Sequence, residues 1–218
     1  MKFEHTETFG WEAALRGMRN PKESWSRNDT TVDGTTISIG SNDMDLATRL
    51  IKAGTEHRKF LRMIHVQVDM TAPLYLWKEY DTYKIATVAN STSFMHKGLA
   101  KKFTINDFEN DLKIDTLYNA KNGHEVPIED IQDDWKYIIN RLNKLRDEYL
   151  ETKDISIWRH IVQILPESWL QTRTIDLNYE TLRTIYHQRR FHKLTEWHTF
   201  CDWVKTLPYA KEFITDGE

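Results

Sequence analysis

The stretch LPESWLQTRTIDLNYETLRTIYHQRRFHKLTEW, residues 165–197, decides the fold of this chain. Polar and apolar residues alternate over residues 169–177, a pattern that predicts a half-buried strand. Asn178 follows directly and is a preferred N-cap residue, so a helix is expected from there to about residue 193. A second helix is expected over residues 196–206. The segment therefore predicts one strand that leads into two consecutive helices.

The remaining sequence predicts more helices and a second strand. Apolar residues at helical spacing, together with cap residues, indicate helices, and alternation indicates the strand. The helices are expected over residues 6–19, 41–55, 73–86, 128–152 and 155–165, and the strand over residues 60–70. Residues 24–36 and 87–97 are polar and are expected to be loops, whereas residues 97–127 have no pattern that assigns them. Because no repeat or linker interrupts the chain, we expect a single domain over residues 1–218.

The composition limits the classes of protein to which the chain can belong. Its 218 residues carry a net charge of -3 and a single cysteine, Cys201, which excludes an internal disulfide and suits a reducing cytoplasm. No apolar run approaches the ~20 residues of a membrane span, so we expect a cytoplasmic protein without a membrane partner. Glycine-rich phosphate loops and the CxxC and HExxH motifs are absent from the sequence. We therefore expect no metal, and we expect side chains to hold any phosphate.

Residues 165–197 resemble the closing segment of the flavin-dependent thymidylate synthase (ThyX) family. That segment has a Leu-Pro pair, a strand, an Asn-x-x-x-Leu helix start, and an arginine just before a tryptophan that follows an amide or an acid. The residues that carry the match here are Leu165, Pro166, Asn178, Leu182, Arg189, Glu196 and Trp197.

An earlier segment is similar to the same family and comes in the expected order. His57 and Pro73 have the family's separation, and residues 82–96, TYKIATVANSTSFMH, align with the signature RHRxxSxNxxSxRY when one residue is inserted. Thr82, Tyr83 and Lys84 stand for Arg-His-Arg, Thr87 and Ser93 for the serines, Asn90 for the asparagine, and Met95 and His96 for Arg-Tyr. Because the first and last arginines are replaced, the nucleotide, the one-carbon donor and the reaction stay open.

The resemblance implies an α+β fold in which a mixed sheet is flanked by helices. It also implies a homotetramer whose active sites lie between subunits and hold FAD beside a pyrimidine deoxynucleotide. NADPH and methylenetetrahydrofolate would be co-substrates, and dUMP would become dTMP without a cysteine nucleophile. The protein would then be a flavoprotein methyltransferase of nucleotide biosynthesis.

Arg189 is the most informative candidate in the chain. Its planar guanidinium can hold a phosphate with two hydrogen bonds, or can stabilise negative charge that develops on a uracil carbonyl. If the helix from Asn178 continues far enough, Arg189, His192 and Glu196 fall at i, i+3 and i+7 on one face. The simpler alternative is a solvated basic face.

The resemblance and the side-chain chemistry together give each candidate residue a role. Arg189 and Ser93 are predicted to be catalytic. The predicted cofactor-binding residues are His57, Tyr83, Lys84, Asn90, Asn178 and His192. The predicted nucleotide-binding residues are Lys84, Thr87, Ser91, Ser93 and Arg189. An ordinary surface role remains open for His57 and for the hydroxyl cluster at residues 87–93. Lys78 and Glu79 either point into the site or pair with neighbouring residues, and we expect the pairing.

Two other functions remain open from the sequence. One is a divergent enzyme of the same kind that hydroxymethylates or otherwise modifies a pyrimidine nucleotide, since both chemistries need the same carbonyl-polarising arginine. The other is a nucleic-acid-binding protein that uses residues 183–193, RTIYHQRRFHK, as a basic helix. The net charge of -3 argues against this last function, and we expect no nucleic-acid partner.

Overall fold

The computed structural model describes residues 1–110 and 128–217, which contain both strands and helices. The strands are β1 (Lys2–Phe9), β2 (Thr31–Asp33), β3 (Thr36–Ser38), β4 (His65–Pro73), β5 (Thr87–Ser91) and β6 (Leu170–Asn178). The helices are α1 (Trp11–Gly17), α2 (Ser41–Lys52), α3 (Leu74–Tyr80), α4 (Phe94–Lys97), α5 (Ile128–Thr152), α6 (Ile155–Ile164), α7 (Tyr179–Arg189), α8 (Thr195–Lys205) and α9 (Ala210–Phe213).

Four of the strands form one sheet in the order β1–β4–β6–β5, and β2 pairs with β3 in a separate hairpin. The β1–β4 and β5–β6 pairs are antiparallel. Between β4 and β6, Asp69 binds Thr174 and Thr71 binds Thr172, so these strands also run in opposite directions. The neighbouring strands described here are antiparallel, so they do not form the parallel βαβ units of an α/β fold. The predicted α+β class is confirmed, with an antiparallel sheet.

The chain divides into two compact units. The first contains Met1–Thr71, Glu79–Ser91 and the chain from Thr172 onward, and the second contains Ala72–Lys78 and Thr92–Gln171. In the first unit, apolar faces of β4, α7 and α8 are fully buried, as Val66, Leu182 and Trp197 show. Burial of such side chains is the main stabilising term for a domain of this size.

The second unit has its own apolar core, built on α5 and α6. The buried residues are Leu99, Phe103, Phe108, Leu142, Leu145 and Ile161. The long helix α5 matches its predicted range of 128–152, and α6 ends one residue before its predicted end. Asp154 caps α6 by accepting a hydrogen bond from the backbone N–H of Ser156 at 2.8 Å. The helical spacing of apolar residues was therefore sufficient to predict α5 and α6.

The prediction for the N-terminal region was wrong in part. Residues 6–19 do not form one helix, because β1 extends to Phe9 and α1 starts at Trp11. Gly10 separates them with φ 87, and a Cβ at this position would lie 2.1 Å from the carbonyl oxygen of Met63. Since β1 is an edge strand with mostly exposed side chains, its sequence lacks clear alternation.

Two predicted loops also contain regular structure. Residues 24–36 include β2 and the first residue of β3, and the two-residue turn Gly34-Thr35 joins these strands, with Gly34 at φ 57. Residues 87–97 form β5 and α4. Hydroxyl side chains favoured a loop at β5, but five of its residues pair with β6 from Thr87↔Leu177 to Ser91↔Arg173. Tertiary pairing overrides the local preference there.

The remaining predicted elements are shifted by a few residues. The strand expected over residues 60–70 is β4, which starts at His65 after a short 3₁₀ helix at Lys59–Met63. The helix expected over residues 41–55 is α2, which ends at Lys52. The helix expected to reach residue 193 is α7, which ends at Arg189.

Candidate active site

The start of α7 is fixed by the residue that sequence reasoning chose as its cap. The Asn178 side-chain oxygen accepts a hydrogen bond from Thr181 N at 3.0 Å, and Tyr179 N donates to Ile64 O at 3.0 Å. Leu182 and Ile185 then bury one side of the helix. Arg189 follows Ile185 by four residues and so lies on that inward side. The cap and the apolar stripe together place its guanidinium.

Arg189 is held by three aromatic or acidic side chains. Its Nε donates to the Tyr83 hydroxyl at 2.8 Å, and its Nη1 donates to Glu79 Oε2 at 3.0 Å. The guanidinium carbon lies 4.9 Å from the centre of the Trp197 ring and 5.5 Å from that of Tyr83. Hydrogen bonds and cation–π contacts fix both the position and the plane of the guanidinium.

Glu79, at the end of α3, is where these contacts converge. The same oxygen that binds Arg189 accepts a hydrogen bond from Trp197 Nε1 at 2.8 Å, and His192 Nε2 lies 3.6 Å away. We call these five residues, Glu79, Tyr83, Arg189, His192 and Trp197, the Arg189 cluster. All of them belong to the first unit.

The tautomer of His192 follows from its backbone contact. Its Nδ1 accepts a hydrogen bond from Leu194 N at 3.2 Å, so Nδ1 carries no proton. The neutral ring therefore has its proton on Nε2, the nitrogen that faces Glu79. His192 adds a hydrogen-bond donor to the cluster even when it is uncharged.

One geometric prediction about this region was wrong. The chain does not continue as a helix through His192, because α7 ends at Arg189 and α8 begins at Thr195. Glu196 lies in the first turn of α8, so the i, i+3, i+7 relationship does not apply. Arg189 and His192 meet at Glu79 through the turn between the two helices.

The arginines of residues 183–193 do not form a solvated basic face. Arg183 is buried, donates to Ile214 O at 3.1 Å and pairs with Asp216 at 2.5 Å. Arg189 belongs to the cluster, and the Arg190 guanidinium lies over the Phe191 ring at 4.9 Å. The three arginines therefore do not form the free basic face that the basic-helix alternative needs.

Residues of the signature-like segment surround a small cavity of about 320 Å³ next to Tyr83. Thr87 donates to Tyr83 O at 2.5 Å, and Asp81 pairs with Arg173 at 2.7 Å. Burial raises the pKa of Tyr80 far above its ordinary value, so its hydroxyl stays neutral. The lining residues are Tyr80, Asp81, Tyr83, Lys84, Thr87 and Ala89.

The other predicted residues of this segment lie elsewhere. Asn90 and Ser91 are exposed on β5, opposite Thr174 and Arg173 of β6. Ser93 belongs to the second unit, immediately before α4. Their predicted roles in binding and catalysis stay predictions.

His57 lines a larger cavity of about 880 Å³ in the first unit. We call it the basic pocket, because most charged side chains around it are cationic. These are Arg16, Arg19, Lys22, Arg27, Arg49 and Lys59, with Glu56 the acid among the lining residues. Leu46, Leu50 and Met63 add apolar surface. The pocket therefore combines positive charge with apolar wall.

A buried carboxylate organises the loop that forms one side of the basic pocket. Asp43 is 0% exposed, and its Oδ1 accepts a hydrogen bond from Arg19 Nε at 2.6 Å. Its Oδ2 accepts from Asp29 N, Thr30 N and Thr30 Oγ1 at 2.6–3.0 Å. The N-cap position of α2 belongs to Gly40, so the Asp43 side chain is not used as a cap. The carboxylate instead ties the loop to α2.

Glu79 and Asp43 are two residues whose roles are larger than the sequence predicted. Lys78 does pair with a neighbour, Glu167, as expected. Glu79, by contrast, binds Arg189 and Trp197, which are more than 100 residues away. No local pattern indicates such a contact, although the acid–tryptophan pair at residues 196–197 marked one end of it.

Two further properties bear on the kinds of site present. Within residues 1–110 and 128–217, no group of three or more His, Cys, Asp or Glu residues is arranged to hold a metal ion. No helix in that same part of the chain has the length and apolar character needed to cross a membrane.

Comparison with known proteins identifies the fold. No protein-family model matches the chain, and no curated protein matches it by sequence. Among solved structures, it is similar to flavin-dependent thymidylate synthase ThyX from Helicobacter pylori complexed with FAD and dUMP, at 16% identity and a TM-score of 0.67 over 98% of this chain and 97% of that one. A second structure of that enzyme with FAD and dUMP has a TM-score of 0.66 at 16% identity, over 100% and 99%.

A third solved structure has the same fold and a related substrate. It is the UMP/dUMP methylase PolB from Streptomyces cacaoi bound with 5-Br dUMP, at 14% identity and a TM-score of 0.62 over 99% of this chain and 95% of that one. At these identities, the comparisons show a shared fold.

Proposed function

We propose that this protein is a flavin-dependent enzyme that methylates the uracil ring of dUMP to give dTMP. The observation that carries the proposal is the Arg189 cluster, in which a guanidinium is fixed in plane and position at the end of α7. The shared fold supports it, because the similar structures contain dUMP or 5-Br dUMP, and two of them also contain FAD. The proposal takes residues 1–218 as one domain, since that likeness covers nearly the whole chain.

The chemistry assigned to Arg189 is stabilisation of charge. When a nucleophile attacks the uracil ring, negative charge develops on a ring carbonyl oxygen. A guanidinium that is already held by Tyr83 and Glu79 needs no reorganisation to donate a hydrogen bond to that oxygen. Such preorganised donors contribute most where water is excluded, and the Arg189 side chain is only 20% exposed.

The cysteine chemistry supports a mechanism without a protein thiolate. Cys201 is buried, and burial raises the pKa of its thiol to about 11. At neutral pH the thiol is protonated and sterically shielded, so it is a poor nucleophile. A uracil-methylating enzyme with this sequence must therefore activate the ring in another way, and a bound flavin supplies hydride-transfer chemistry.

The basic pocket fits FAD. Its lysine and arginine side chains can pair with a diphosphate, and the apolar wall of Leu46, Leu50 and Met63 can contact a planar ring. His57 lines the same pocket, and we propose that it contacts the cofactor there. The proposed cofactor-binding set has five further residues. These are Tyr83 and His192 in the cluster, Lys84 beside the small cavity, Asn90 on β5 and the cap residue Asn178.

The proposed reaction balances with two co-substrates. The methylene group of methylenetetrahydrofolate becomes the methyl group at C5 of the ring, while NADPH and one proton supply the two hydrogens that this conversion needs. We propose that nucleotide binding involves Lys84, Thr87, Ser91 and Ser93. Ser93 is also proposed to contribute to catalysis.

We also propose a homotetramer with shared active sites. Strand β5 is an edge strand. Val88 within it is 71% exposed, and Ile85, just before it, is 86% exposed. Exposed apolar residues at an unpaired sheet edge favour burial against another chain. Light scattering should give a mass near four chains at micromolar concentration, and a strict monomer would contradict shared sites.

The experiment that tests the function combines a spectrum with product analysis. Purified protein, incubated with FAD and washed, should show a flavin absorption band, and it should convert dUMP with both co-substrates into dTMP. Mass analysis of the product identifies the transferred group, so a hydroxymethylated nucleotide would reveal the modified reaction. Protein that retains no flavin and produces no modified nucleotide would refute the proposal.

A further inference from the structure

The two carboxylate oxygens of Glu79 differ in the hydrogen bonds that they accept. Its Oε2 receives the hydrogen bonds from Arg189 and Trp197 and faces His192. Its Oε1 accepts no hydrogen bond from the residues that the structure describes, and the side chain is 33% exposed. The unused oxygen is therefore a fixed acceptor that a ligand can reach.

Arg189 offers the complementary atoms beside it. Its Nε and Nη1 are engaged by Tyr83 and Glu79, whereas Nη2 donates to none of the residues in the described part of the chain. Because Nη1 and Oε2 of these two side chains are 3.0 Å apart, the remaining donor and the remaining acceptor belong to partly exposed side chains in direct contact. This pair matches a ligand edge on which a carbonyl oxygen is adjacent to an N–H group.

We propose that Glu79 determines the specificity for uracil by accepting the hydrogen bond of its N3–H, while Arg189 donates to an adjacent ring carbonyl. This inference rests on the proposed function, since it assumes that the pyrimidine binds at Arg189. In a uracil nucleotide, N1 carries the sugar, so N3–H is the single ring N–H group, and a carbonyl flanks it on each side. A carboxylate oxygen is the strongest acceptor for it.

The same geometry disfavours cytosine. The N3 atom of neutral cytosine is an acceptor, so it would face the Glu79 oxygen without a hydrogen atom between them. A buried acceptor that loses its partner costs more than the hydrogen bond itself contributes. A carboxylate beside the catalytic arginine thus selects uracil over cytosine, although the two rings have almost identical shapes.

The substitution Glu79→Gln reverses the chemistry of this oxygen while keeping its shape. Arg189 Nη1 and Trp197 Nε1 both donate to the Oε2 position, so the amide oxygen of glutamine must occupy that position. The amide NH₂ then takes the place of Oε1 and presents a donor to the ring. A donor there opposes N3–H of uracil and suits N3 of cytosine.

The test measures binding of dUMP and dCMP by calorimetry to the full chain loaded with FAD. The wild-type protein should prefer dUMP, and Glu79→Gln should weaken dUMP binding by on the order of tenfold or more while dCMP binding does not fall. Glu180→Gln is the matched control, because Glu180 also pairs with an arginine, Arg58, at 2.8 Å. This control should keep the wild-type ratio of the two affinities.

The outcomes separate the inference from the function on which it rests. A Glu79→Gln variant with the wild-type affinity ratio would overturn the specificity role and leave the proposed function intact. An equal loss for both nucleotides would also overturn it, because that result indicates a structural role. Wild-type protein that binds neither nucleotide would refute the proposed function and this inference with it.

Discussion

The Arg189 cluster and the basic pocket both concentrate charge in the first unit, but they balance it differently. In the cluster, the guanidinium of Arg189 is matched by Glu79 and enclosed by the rings of Tyr83 and Trp197. In the basic pocket, Lys22, Arg27 and Lys59 have no carboxylate partner among the described residues.

The difference indicates what each place is built to bind. A neutralised and rigid arginine can polarise an uncharged carbonyl group without attracting every anion in solution. Cations without a carboxylate partner instead favour a ligand that brings its own negative charge. Under the proposed function, the cluster therefore suits the pyrimidine ring, and the pocket suits the diphosphate of FAD.

The largest effect is expected from Asp43, which holds the loop of the basic pocket. The substitution Asp43→Ala leaves Arg19 buried without its partner and removes the acceptor for the backbone of Asp29 and Thr30. We expect a loss of about 3–5 kcal/mol in the free energy of unfolding, measured by urea denaturation. Asp45→Ala, at an exposed pair with Arg49 in the same helix, is the control and should change it little. Similar small losses in both variants would contradict the organising role of Asp43.

The next largest effect is expected at Arg189. Lysine keeps the charge but cannot hold Tyr83 and Glu79 with a planar pair of donors, so Arg189→Lys should fold normally and lose turnover by about 10²-fold or more. Arg190→Lys is the matched control, because Arg190 lies over Tyr186 and Phe191 outside the cluster. Steady-state kinetics of dTMP formation would decide between them, and a larger loss at Arg190 would show that the catalytic arginine is misassigned.

The sequence predicted most where the signals are local. Alternation, the Asn178 cap and helical periodicity fix β6, α7 and α8, and these elements position Arg189. The partner of Arg189 could not be predicted in the same way, because Glu79 is 110 residues away and only the fold brings them together. Strand β5 was missed for a related reason, since its hydroxyl residues favour a turn and its pairing with β6 is long-range.

A smaller effect is expected from charge reversal in the basic pocket. Lys59→Glu places a carboxylate where a cation now faces the cavity, so FAD affinity should fall by on the order of tenfold, and more at low salt than at high salt. Lys205→Glu changes the net charge equally but lies on α8, where Lys205 pairs with Asp202. Fluorescence titration with FAD compares the two, and an equal response would mean that only net charge matters.

The smallest effect is expected at Cys201, and it tests whether the Arg189 cluster works without a thiol. Because burial raises the folded-state pKa from 9.0 to about 11, the protonated thiol stabilises the fold below pH 9, and this contribution is lost as the pH rises through about 11. At pH 8 the native thiolate fraction is about a hundredfold below that of unfolded protein, so alkylation should be correspondingly slow. Cys201→Ala should lower stability by about 1 kcal/mol and leave dTMP formation unchanged. Rapid alkylation of the native protein, or a folded Cys201→Ala variant without turnover, would assign a chemical role to the thiol and remove the argument for a flavin-based route.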